Sequence, residues 1–117
     1  MEKTITIDGK EIRFKSTGAT ALRYKSQFRK DLFQELFKMG GFDKVINKKT
    51  KDIDPADLEG LDFDLFYEIA WVMAKTADPS IPDPIAWLDR FDEFPMMEII
   101  PQLTELISST LQSNKKK

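Results

Sequence analysis

The residues best able to do chemistry in this chain are carboxylates. Asp89, Asp92 and Glu93 could gather a divalent cation as hard oxygen ligands, and so could Asp52, Asp54 and Asp57. Neither trio has the glycine and the distal glutamate that a Ca²⁺ loop requires, and a solvated acidic face is the better reading of both. Paired carboxylates act as acid and base only in a cleft that raises one pKa, and acids at helix caps already have a role. Ser16 and Ser80 have no activating partner, because the 117-residue chain contains no histidine and no cysteine. Those two absences remove the usual general base, thiolate metal sites and disulfides. The adjacent glycines Gly40 and Gly41 read as a helix stop rather than a phosphate cradle. The expectation is a protein that is not an enzyme, with no catalytic residue, no metal site and no cofactor. Lys44, Lys48, Lys49 and Lys51 form a basic patch. No aromatic interleaves it, and the acidic remainder of the chain repels a phosphate backbone, so nucleic acid is not the expected partner.

A chain that lacks chemistry but is rich in large apolar side chains is expected to work by binding. Between Leu61 and Pro95, Tyr67, Trp71, Trp87 and phenylalanines are set among acids and prolines, with Lys75 and Arg90 as the cations. Trp71, Trp87, Phe91 and Phe94 read first as core, and second as anchors for a partner, where aromatics concentrate binding energy. Met96 and Met97 are adjacent and cannot share one helix face, so one of them could line an adaptable surface. These six residues are the candidate partner-binding set.

Charge is divided along the chain. Residues 1–51 carry thirteen Lys or Arg against six Asp or Glu, a balance of +7; residues 52–105 carry two against fourteen, a balance of −12. Opposite ends of one chain could pair between copies, so salt-sensitive self-association is a further expectation. The opening MEKTITIDGK lacks the apolar core of a signal peptide, and no run reaches the ~20 apolar residues of a membrane span. A cytoplasmic setting is expected.

The elements follow from local signals. Alternation at Thr4–Ile7 and Glu11–Lys15 around Asp8-Gly9 predicts a hairpin with Ile5, Ile7, Ile12 and Phe14 inward. Thr20 is a candidate cap. Leu22, Phe28, Leu32, Leu36 and Met39 predict a helix over 21–39, widened by Phe33 and Phe37. Asn47 to Lys51 reads as a mobile loop, and Pro55 after Asp54 as a short helical turn. A helix is expected over 62–75, with Phe63, Phe66, Ile69, Ala70 and Met73 inward. Another follows Asp83-Pro84 to Phe91. The last opens at Pro95, is kinked at Pro101 and frays beyond Ser108. The predicted fold is α+β: one mainly α-helical domain over residues 1–112 with an N-terminal β-hairpin, and a flexible basic tail at 113–117.

The segments ITIDGKEIRFKSTGATALRYKSQFRKD (5–31), FYEIAWVMAKTADPSIPDPIAWLDRFDEF (66–94) and FPMMEIIPQL (94–103) resemble the tail assembly chaperones of long-tailed phages and prophages of Gram-positive bacteria. The resemblance omits residues 42–60. It implies a non-enzymatic protein of the host cytoplasm that coats the tape measure protein during tail assembly and is absent from the mature virion. It also implies a longer product, made by programmed frameshift at the Lys115-Lys116-Lys117 end, that recruits the tail tube protein. A structural tail component, such as a tube or completion protein, is the alternative. A small metal-dependent hydrolase is a third reading.

Overall fold

Asp8 and Gly9 both take positive φ, 54° and 75°, as both central residues of a type I′ turn must. In the computed structural model, which describes the backbone of residues 1–115 and side-chain burial through residue 112, that turn joins β1 (Glu2–Ile7) to β2 (Lys10–Lys15). The two strands are antiparallel, with Ile5 opposite Ile12 and Lys3 opposite Phe14. Ile5, Ile7 and Phe14 are buried, and Ile12 sits partly buried at the margin of the core.

The helix expected over 21–39 is broken in two. α1 (Thr20–Phe28) ends at Arg29, whose φ of 62° turns the chain and whose N–H donates to the Lys25 carbonyl. Asp31 then caps α2 (Leu32–Lys38) by accepting from the Gln34 N–H. The four-residue spacing runs through the break and conceals it. Thr20 is not a cap: Ala19 holds that position, and the Thr20 hydroxyl accepts from the Thr17 N–H. The break leaves Tyr24, Leu32 and Leu36 inward, while Leu22 is exposed.

Residues 42–58 form short helical pieces, and the loop expected at Asn47 to Lys51 runs into one of them. Gly41, at φ 86°, opens α3 (Phe42–Ile46), and 3-10 turns follow at Thr50–Asp52 and Pro55–Leu58. Asp54 and Asp57 cap the second turn reciprocally, as the Asp54-Pro55 pair predicts. Phe42, Val45 and Leu58 supply its apolar anchors.

α4 (Phe63–Ala77) is the central element. Asp62 caps it, accepting from the N–H groups of Asp64 and Leu65. Leu65, Phe66 and every residue from Ile69 to Ala74 are buried, so the helix is covered on most sides, with β2, α1 and the two helices that follow packed on it. Phe63, expected inward, lies at the exposed first turn. α5 (Pro84–Leu88) is capped by Asp83, which accepts from the Ala86 N–H, and is shorter than expected. α6 (Met96–Lys115) begins after Pro95, whose carbonyl accepts the first helical N–H groups, those of Glu98 and Ile99. It is continuous through Pro101 and runs past Leu111, where fraying was expected. Residues 116 and 117 of the expected basic tail lie outside the described residues. The fold is α+β and mainly helical, a single domain with a two-stranded hairpin at its start. No described helix is long and apolar enough to cross a membrane.

One polar network crosses this core. The Tyr24 hydroxyl donates to Glu68 Oε1 at 2.6 Å, and Lys30 Nζ lies 3.2 Å from the same oxygen. Burial, and then the Glu68 carboxylate, push the Tyr24 phenol far above its ordinary value of 10.0. The unfolded phenol ionises near pH 10 and the folded one resists. The associated stability is therefore complete below pH 10 and is lost as pH rises above it. In an alkaline titration followed by tyrosinate absorbance, one of the two tyrosines should ionise only as the helical circular dichroism collapses. Tyr24→Phe should remove that component. A Tyr24 signal that titrates while the dichroism stays native would overturn this assignment.

Candidate functional site

Four of the six candidate partner-binding residues lie inside the molecule. Trp71 is buried on α4, and its Nε1–H donates to the Pro82 carbonyl at 2.7 Å. Lys75 Nζ donates to the carbonyls of Pro79 and Ile81. Together they strap the proline-rich connector 78–83 along α4. Trp87 is 1% exposed and stands at the centre of a ring cluster, with centroids 6.4 Å from Phe14, 5.4 Å from Phe91 and 5.7 Å from Phe94. Phe91 is buried beneath the Lys10 ammonium, which lies 5.4 Å from its ring centroid. Lys10 also donates to the Arg90 carbonyl, and the Asp92 N–H donates to the Asp8 carboxylate at 2.9 Å. The cluster therefore fastens the hairpin turn to the loop before α6. Met96 is buried as well. Phe94 is half-buried against Tyr67, and Met97, about 100° around α6 from Met96, is exposed. Trp71, Trp87, Phe91 and Met96 are thus buried and help to build the fold.

A further exposed apolar surface lies on α2. α2 has seven residues, of which Leu32 and Leu36 point into the core. Phe33 and Phe37, each one position further on, are rotated by about 100° about the helix axis and fall on a second stripe. Phe37 is 67% exposed and meets Phe42 edge-on at 6.2 Å. With Phe33, Ile46 and Leu111 it lines a groove of about 450 Å³ between α2, α3 and the C-terminal half of α6. Ile46, Ser108 and Gln112 are shared with a wider cleft of about 890 Å³, edged by Lys48, Lys49 and Lys51 and backed by Thr104, Glu105 and Ser109 of α6. The two form one trough, apolar at one end and basic at the other.

The charged groups of the trough are held in different ways. Lys48 Nζ lies 2.8 Å from Asp57, and this contact depresses the Asp57 carboxyl while raising the Lys48 ammonium. Glu105 accepts from the Thr50 hydroxyl at 3.0 Å and pairs with Lys3 at 3.3 Å; both hold its carboxyl below the usual range. Lys49 and Lys51 are exposed and make no ion pair among the described residues. The trough therefore offers apolar contact area, unneutralised ammonium groups and small hydroxyl side chains. Among the described residues no group of three or more His, Cys, Asp or Glu is placed to hold a metal ion.

The sequence reading missed this trough because it assigned Phe33 and Phe37 to the inward stripe. The available signal was two apolar pairs at four-residue spacing, offset by one, on a single helix; only one of them can face a core. No family model matches the chain, and comparison with curated proteins and with solved structures gives no match.

Proposed function

We propose that this protein is a non-enzymatic phage tail assembly chaperone that holds the tape measure protein while the tail is built in the host cytoplasm, and that it leaves before the virion is complete. The resemblance of residues 5–31, 66–94 and 94–103 supports the family. The observation that carries the binding role is the trough headed by Phe37. A phenylalanine two-thirds exposed beside an open apolar groove supports this role, since grooves between helices accept the apolar face of another helix. A long helical client with apolar faces needs such cover until its own partners assemble. Co-expression with the tape measure protein should raise the client's soluble yield. An unchanged yield removes this reading. Detection of the protein in purified virions would favour a structural tail component instead.

A further inference from the structure

We infer that the trough between α2, α3 and α6 selects an amphipathic helix whose apolar face is followed by acidic side chains, and so reads charge as well as apolarity in its guest. This rests on the client-binding reading above and specifies its partner. Because Ile46, Ser108 and Gln112 line both compartments, one rod-like guest can lie across both. Its apolar side chains meet Phe37 and Leu111; further along, its carboxylates meet Lys49 and Lys51. Ser108 and Ser109 keep the α6 wall low, which permits close approach of a second helix. A helix rises 1.5 Å per residue, so a guest of about 15 residues spans roughly 22 Å, within the 32 × 31 × 23 Å extents of the molecule.

Residues 52–105 carry a balance of −12, and the surface they supply repels an acidic helix. The trough is edged by lysines drawn from the +7 portion of the chain, and of these only Lys48 has an acidic partner among the described residues. A guest with Lys or Arg in place of its acids would face Lys49 and Lys51 directly. Like-charge juxtaposition of this kind excludes wrong partners more strongly than the matching pairs add affinity.

Three labelled peptides of about 18 residues, long enough to hold a helix, test this against the full chain. The first joins a Leu/Ala face to glutamates along one half. The second replaces those glutamates by lysines. The third scrambles the first so that no apolar face remains. The first should bind at least about tenfold more tightly than either of the others. That margin should shrink in about 0.5 M salt. In K49E/K51E, which changes exposed side chains, the lysine peptide should become the preferred one. Equal binding of the first two peptides overturns the inference. So does competition by the scrambled peptide or by single-stranded RNA at the level of the first, since the face would then be a general anion surface. The two readings fail separately. If K49E/K51E and F37S protect the tape measure protein as well as wild type does, the client docks elsewhere and the chaperone reading stands. If wild type gives no protection but retains the peptide preference, the trough stands without the chaperone.

Discussion

Replacing Trp87 with alanine should destabilise the protein by about 3–5 kcal/mol, the range for deleting a fully buried large aromatic. Trp87 is the ring that Phe14, Phe91 and Phe94 all touch, so its loss opens a cavity with rigid walls rather than one that collapses. A domain of this size has roughly 5–15 kcal/mol in total, so W87A should lose a large share of its stability. Trp87→Phe keeps a ring in the cluster and should cost much less. Urea titration followed by circular dichroism measures both. A loss below about 1 kcal/mol for W87A would mean that Trp87 is not buried as described and belongs with the surface anchors after all.

The counterpart is Phe37→Ser, with the opposite profile. Phe37 stands out from α2 and touches the rest of the protein chiefly through Phe42. Stability should stay within about 0.5 kcal/mol of wild type. Client binding should fall by about thirtyfold or more, as when an interface anchor is truncated, with loss of the soluble yield in co-expression. The adjacent change Leu36→Ala makes the control, because Leu36 is fully buried and its truncation should cost about 2–5 kcal/mol without touching the groove. Neighbouring residues one step apart on a helix would then report fold and function separately. An F37S protein that protects the client as well as wild type does would remove the groove from the mechanism.

What could be read from the sequence was local. Asp8-Gly9 announces its turn because only a few residues tolerate positive φ. Asp62 and Asp83-Pro84 announce helix starts because the capping oxygen and the missing N–H act within three residues. What could not be read depends on contacts across the chain. Asn47 to Lys51 looks like a mobile loop because the Thr50 hydroxyl finds its partners, Pro101 and Glu105, more than fifty positions away. The break at Arg29 is hidden because Leu32 and Leu36 continue a spacing that a single helix would also produce. The aromatics were ambiguous for a deeper reason. Core and interface both favour Trp and Phe, so type and spacing alone do not separate Trp87, which holds the fold together, from Phe37, which the fold leaves uncovered.

The bond from the Asp92 N–H to Asp8 joins residues 84 positions apart, and this orders events during synthesis. The hairpin is made before the elements that shelter it. Two strands alone are marginal in water, and the cover over Ile5, Ile7 and Phe14 comes from α4, Trp87 and α6, all at residue 63 or beyond. While the nascent chain lengthens, those side chains have nothing native to bury them. Contacts so distant in sequence also close slowly, because loop entropy is spent before they form. The hairpin side chains therefore wait for partners made some fifty residues or more later, and the hairpin acts as the closing latch of the fold rather than its seed.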